Sequence, residues 1–317
     1  MEPTKKKMAV VIPFLNEEEN IPLMYDRLTK CMASQPESLQ MIFVDDGSSD
    51  GSAAWLANKS REDGRVCLLR LSRNFGHQIA ITAGMDYAEA DCVAIIDCDL
   101  QDPPEVIPDM LKKWREGFEV IYAVRETREG ESLSKKLFAA GFYRIFHRLA
   151  NVNVPVDTGD FRLVDRKVIS ALREVREIHR FMRGLTSWVG FRQCPVNYQR
   201  AARHAGVTKY PIWKSLRLAW DALTSFSGAP LRAITGFGLV ISILGLLVAT
   251  QVVVGKILHP KSYEPGWATL VAIVLFIGGV QLVSVGFVGQ YVSRIFEESK
   301  KRPLYFVSEV VGDLPGR

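Results

Sequence analysis

The chain has 317 residues, 48% of them apolar and 24% charged, which excludes a disordered chain and provides material for roughly two folded units. A net charge of +5 is too mild to point to nucleic acid, and a basic face on a membrane surface accounts for it equally well. Five cysteines with no Cys-x-x-Cys pair argue against a disulfide framework and fit a reducing compartment. The charged start, Met1–Lys7, runs straight into a strand-like segment, so no signal peptide is expected.

Met8–Ile12 is a β-rich run ended by Pro13. Glu17–Met32 has the spacing of a helix, with Ile21, Leu23, Met24 and Leu28 on its apolar side and Asn16 available as its cap. Further strands are expected at Met41–Val44, Val66–Leu71, Cys92–Ile96 and Val120–Val124, with helical stretches between them, and another at Phe161–Val164. Continuous apolar strands alternating with helices predict an α/β domain, a mostly parallel sheet covered on both faces. Ligands of such sheets bind beyond the carboxyl ends of the strands.

Ser134–Leu149 and Tyr210–Ser225 are amphipathic, with Lys and Arg on their polar sides. Each is either an ordinary core helix or a helix lying on a membrane surface; the second, just ahead of an apolar segment, favours the surface. Ala233–Gly255 is 23 residues without a charge and Trp267–Ser293 is 27. As helices they reach about 35 and 40 Å, enough to cross a hydrocarbon core of about 30 Å. Only Lys256–Gly266 separates them, so a transmembrane hairpin is expected. Arg217, Arg232, Arg294, Lys300, Lys301 and Arg302 flank its outer ends against Lys256 and Lys261 in the loop, which places the α/β domain and both termini in the cytoplasm. The expected organisation is a domain over residues 1–209, an interface helix over 210–230, two spans within 231–293, and a cytoplasmic tail over 294–317.

The chemistry-bearing residues follow the strands. The second strand runs into Asp45-Asp46-Gly47-Ser48, a tight polar turn whose carboxylates can accept from a base or from ribose hydroxyls. The fourth runs into Asp97-Cys98-Asp99-Leu100-Gln101-Asp102. Residues i and i+2 of an extended chain point the same way, so Asp97 and Asp99 can reach one hard cation, with Gln101 next in line. Mg²⁺ and Mn²⁺ suit such oxygens and also bind diphosphates.

Taken in order, Val10–Asn20, Val44–Ser52, Ser72–Gln78, Asp97–Pro104, Asp157–Leu163 and Arg203–Tyr210 resemble the family 2 glycosyltransferases with the GT-A nucleotide-sugar fold. The closer resemblance is to the polyprenyl-phosphate branch, which holds dolichol-phosphate mannose synthases and bactoprenol glucosyltransferases; the paired C-terminal helices point to the latter. The resemblance implies that Pro13, Asn16, Glu17 and Asp46 line a nucleotide pocket with Asp45 nearby. It also implies that Asp97, Asp99 and Gln101 surround metal and diphosphate, and that Arg125 and Arg128 receive the acceptor phosphate. Arg203, Thr208 and Lys209 would belong to a mobile loop, Asp157 would be the catalytic carboxylate, and Asp160 would support it. Arg73, Asn74 and His77 either shape the pocket or pack.

The expected reaction is inverting transfer of one hexose, glucose from UDP-glucose, to undecaprenyl phosphate at the cytoplasmic face of the plasma membrane, with Mg²⁺ or Mn²⁺ as cofactor. The expected partners are the nucleotide sugar, the polyprenyl phosphate and the bilayer, with no nucleic acid, in a homo-oligomer. Transfer of mannose from GDP-mannose, transfer of aminoarabinose, and a silent membrane scaffold are the alternatives.

Overall fold

The computed structural model describes residues 5–126, 158–199, 229–258 and 266–314. They fall into two compact units, one formed by the chain up to Ala219 together with Pro303 onward, the other by Trp220–Arg302.

The first unit is built on one eight-stranded sheet. In chain order its elements are β1 (Lys7–Phe14), α1 (Asn20–Met32), β2 (Ser38–Asp45), α2 (Ser52–Glu62), β3 (Val66–Leu71), α3 (His77–Tyr87) and β4 (Cys92–Ile95). Then follow α4 (Ile107–Arg115), β5 (Val120–Arg125), β6 (Thr158–Asp165), α5 (Arg166–Glu174), α6 (Met182–Trp188) and β7 (Gln193–Tyr198). After the second unit's helices, α7 (Ala229–Leu258) and α8 (Trp267–Ser299), the chain adds β8 (Val307–Val311).

The strand order is β7-β5-β6-β4-β1-β2-β3-β8. β4, β1, β2 and β3 run parallel. β6 lies antiparallel between β4 and β5, and β7 runs parallel to β5. The sheet is therefore mixed, because β6 interrupts the parallel array between β4 and β5. Two reversals cancel, so the carboxyl ends of β1, β2, β4, β5 and β7 share one edge, and β6 begins there.

The strands are buried because both faces are covered. Met8, Val10, Ile12 and Phe14 alternate along β1 onto one face, where Ile21 and Leu28 of α1, Leu56 of α2 and Trp114 of α4 complete the core. On the other face α3 crosses β1 and β2 so closely that a Cβ at Gly84 would stand 2.3 Å from Val11 Cγ1; glycine is there for space.

Two expectations change. The first helix starts at Asn20, not Glu17, because the Glu17 carbonyl accepts from the backbone N–H of Asn20 and Ile21 in a turn. Asn16 is not its cap: it adopts φ 55° and serves the neighbouring loop instead. Within the segment expected as a tail, β8 pairs antiparallel with β3, and Tyr305 Oη donates to Asp86 Oδ2 at 2.9 Å. The helices expected over Ser134–Leu149 and Tyr210–Ser225 lie outside the described residues.

The second unit holds α7 and α8. Among its described residues, Phe276–Ser299 is long and apolar enough to cross a membrane and is unburied, while Ile234–Val248 is a shorter apolar stretch. Large apolar side chains are exposed on both helices, including Leu246, Ile257 and Leu282, which marks a surface for an apolar partner or a bilayer.

Candidate active site

At the ends of β1 and β2, two loops are tied together by backbone donors and short side chains. Asn16 N donates to Ser48 Oγ at 2.9 Å, Ser49 N to Asn16 Oδ1 at 2.8 Å, and Glu17 N to Ser52 Oγ at 3.2 Å. The positive φ of Asn16 aims its amide at Ser49; asparagine tolerates that conformation better than most residues. Asp45 is fully buried and accepts from Ser48 N at 2.7 Å. Its Oδ2 faces Arg70 Nε at 3.2 Å in an ion pair not aligned as a hydrogen bond. Asp46 accepts from Phe75 N at 2.7 Å and Gly76 N at 3.0 Å. Burial raises its carboxyl above the ordinary value, with those N–H groups working against the rise. Both carboxylates of the turn thus hold loops in place.

Past β4 the chain turns through Asp97 to Asp102. Asp99 Oδ1 accepts from Gln101 N at 3.1 Å. Asp97 Oδ1 is buried and makes no aligned hydrogen bond, although His77 Nε2 lies 3.3 Å away. Burial, reinforced by Asp160, Asp102 and Asp99, raises Asp97 to about 6 against the pull of His77. An orphaned carboxylate oxygen among like charges is what a divalent cation relieves, so the residues present fit Mg²⁺ or Mn²⁺. Among the described residues no three His, Cys, Asp or Glu side chains converge on one point. A two-carboxylate site completed by substrate phosphates matches Mg²⁺ in many phosphate-handling enzymes.

Beside this turn lies a charged cluster. His77 Nε2 is 3.4 Å from Asp160 Oδ2, which also accepts from Gln78 Nε2 at 3.0 Å. Asp160 Oδ1 accepts from Arg183 Nε at 3.1 Å, and Gln78 Oε1 accepts from Met182 N at 2.9 Å. Arg162 Nη2 donates to the Gly159 carbonyl at 3.0 Å. Burial opposes the charge of Asp160, yet Arg183, His77 and Arg162 hold it well below the usual carboxylate range. Burial likewise opposes a charged His77, yet Asp97 and Asp160 lift it to about 9. Burial lowers Arg162 to about 10.

At the ends of β5 and β7, Arg125 Nε donates to Tyr198 Oη at 3.1 Å, Tyr198 Oη donates to Asp102 Oδ1, and Arg125 Nη2 stands 3.8 Å from Asp102 Oδ1.

The sheet edge thus gathers Pro13, Asn16, Glu17, Asp45, Asp46, Asp97, Asp99, Gln101, Arg125 and Asp160. Asp157, Arg128, Arg203, Thr208 and Lys209 lie outside the described residues. Sequence reasoning missed Arg183 and Tyr198, and it left His77 open between shaping and packing; the contacts put His77 between the two acidic groups. Only the Asp160 and Asp97 turns carried a local signal for that cluster.

The family model "Glycosyl transferase family 2" matches residues 9–173. The chain belongs to this family. It is a glycosyltransferase, and its sheet unit is the family's GT-A fold. The chain is 46% identical over 304 residues to an uncharacterized glycosyltransferase of Bacillus subtilis (strain 168), covering 96% of this chain and 94% of that one. An uncharacterized glycosyltransferase of Synechocystis sp. is 42% identical over 306 residues, 96% of each chain. The bactoprenol glucosyl transferase of Shigella phage SfV is 36% identical over 301 residues, 95% of this chain and 98% of that one.

Proposed function

We propose that this glycosyltransferase moves one glucose from UDP-glucose to undecaprenyl phosphate at the cytoplasmic face of a membrane, with inversion at the anomeric carbon. The observation that carries the reading is the near-full-length likeness to a protein named for glucosyl transfer to bactoprenol. The site chemistry agrees with it: an acidic turn suited to a metal-bound diphosphate lies on the same sheet edge as a buried-edge arginine suited to a phosphate.

An oxygen of the lipid phosphate forms the bond to the anomeric carbon as the bond from that carbon to the nucleotide diphosphate breaks. With a second pKa near 6 the phosphate is mostly a dianion at pH 7, so holding it in line matters more than deprotonating it. The loops of Pro13, Asn16, Glu17, Asp45 and Asp46 form the floor for the nucleotide. Asp97, Asp99 and Gln101 would hold Mg²⁺ or Mn²⁺, which would offset charge on the leaving diphosphate. Arg125, with Arg128, receives the acceptor phosphate. Asp157 is the proposed base on the family resemblance. Asp160 is a poor base, since its cationic neighbours keep it ionised; it anchors His77 and Arg183.

A membrane hairpin follows from the same reading. β8 is a strand of the sheet that precedes α7 and α8, which supports a chain that returns to the side it left through an even number of crossings. With α8 as one crossing, α7 supplies the other. A cysteine at position 262 should be labelled by an impermeant maleimide on intact cells while tags at both termini stay protected. Labelling of a C-terminal tag from outside would reject the hairpin.

The reaction is tested by offering radiolabelled UDP-glucose, GDP-mannose and a nucleotide-linked aminoarabinose to membranes containing the protein. The expected outcome is organic-extractable label from UDP-glucose alone; label from GDP-mannose instead would change the sugar and keep the chemistry.

A further inference from the structure

Arg125 is held by two groups that the reaction itself does not use. We propose that Asp102 and Tyr198 are positioning residues, which lock the Arg125 guanidinium against Gly159 in the orientation that receives the acceptor phosphate. The inference rests on the reaction just described.

Arg125 and Tyr198 are register partners at the ends of the parallel strands β5 and β7. Tyr198 is 4% exposed and Asp102 1% exposed. Its ring is fixed edge-on to Phe161, with centroids 5.9 Å apart at 84°, so its hydroxyl has one place to go. There it accepts from Arg125 Nε at 3.1 Å and donates to Asp102. A guanidinium is a rigid planar fork with five N–H donors, so fixing Nε on one side sets the direction of the others. Asp102 beside Nη2 adds a second point and supplies the countercharge that a largely buried arginine needs.

Gly159 makes the room. A Cβ there would stand 2.9 Å from Arg125 Nη2 and 3.7 Å from Asp102 Oδ2. Its φ is not in the left-handed region, so space rather than conformation calls for glycine. The next residue, Asp160, joins the cluster beside Asp97, which brings the arginine to the reacting end of the site. Asp102 also belongs to the turn of Asp97, Asp99 and Gln101, so one short segment carries both the candidate metal ligands and the arginine's clamp.

The test is initial-rate kinetics of the full-length enzyme, with UDP-glucose and undecaprenyl phosphate varied in turn. Tyr198→Phe keeps the ring and its contact with Phe161 and removes only the hydroxyl. Its acceptor KM should rise about tenfold, the scale of one hydrogen bond to a charged group, with donor KM within about twofold of wild type. Gly159→Ala should show the same acceptor-specific rise. In an Arg125→Lys background, Tyr198→Phe should add less than about twofold, because the fork it orients is gone. A normal acceptor KM in Tyr198→Phe overturns the assignment, as does an equal penalty in both backgrounds. A parallel loss of UDP affinity, measured by calorimetry with Mg²⁺, also overturns it, since the pair would then hold the fold rather than the arginine. Wild-type enzyme that makes no glycosyl lipid would contradict the reaction itself, and the inference would fall with it.

Discussion

Asp97→Asn removes transfer, by about 10²–10³-fold or more, and leaves the protein folded. The substitution keeps side-chain size and takes away a charge that burial and three neighbouring carboxylates already push up to about 6. In the metal-free protein the thermal midpoint should therefore stay close to wild type. With Mg²⁺ or Mn²⁺ the two proteins should diverge. A ligand that binds only the folded state stabilises it by mass action, so the wild-type midpoint rises with metal and UDP while that of Asp97→Asn does not. EDTA should silence the wild type, and either metal should restore it. Full activity in chelator would remove the metal from the account.

Asp160→Asn destabilises the sheet unit by about 3–5 kcal/mol, the range for breaking a buried charge pair. Asp160 is 6% exposed, and it is the shared acceptor of Gln78 from α3 and Arg183 from α6. Without its charge, Arg183 and His77 each lose a paired carboxylate and Arg162 loses the anion beside it, while the three cationic groups stay crowded together. At about 2–4 °C per kcal/mol for a chain of this class, the midpoint should fall by roughly 6–20 °C. The exposed pair of Arg70 and Glu309, 3.9 Å apart, is the contrast: Glu309→Gln should change stability by less than about 1 kcal/mol.

The effect of Asp160→Asn should depend on pH from both sides. The Asp160 carboxyl is depressed in the fold, so its contribution is complete above about pH 4 and fades as pH falls through the folded value. His77 is raised to about 9, so its contribution is complete below about pH 6.5 and fades as pH rises through 9. The gap between wild type and variant should be widest between about pH 4 and 6.5, read from thermal midpoints in metal-free buffer. A gap that grew above pH 9 would contradict the pairing.

The parts of this site that were legible in the sequence are those written by local chain. Asp97 and Asp99 follow a short, fully apolar run, and Asp45 and Asp46 precede Gly47 and Ser48; strand, turn and carboxylate are neighbours, so spacing suffices. Asn16 was legible as a turn residue but not in its role, because its partner is Ser49, 33 residues on. The cluster on Asp160 joins residues 23 and 82 positions away, a closure that only the sheet order creates. That order was itself hidden: β6 alternates Phe161, Leu163 and Val164 with Asp160, Arg162 and Asp165, and nothing in that pattern says that it runs antiparallel between β4 and β5. β8 was hidden for a different reason. Its exposed, partly charged pattern is that of an edge strand, which resembles a polar tail until a partner is found.

The most direct measurement is the product of the purified full-length enzyme given UDP-glucose, undecaprenyl phosphate and Mg²⁺, extracted into organic solvent and weighed by mass spectrometry. The account predicts one lipid species, heavier than the acceptor by a single hexose, formed mole for mole with UDP and absent from Asp97→Asn. UDP released without a glycosylated lipid, or a lipid carrying a sugar polymer, would contradict it.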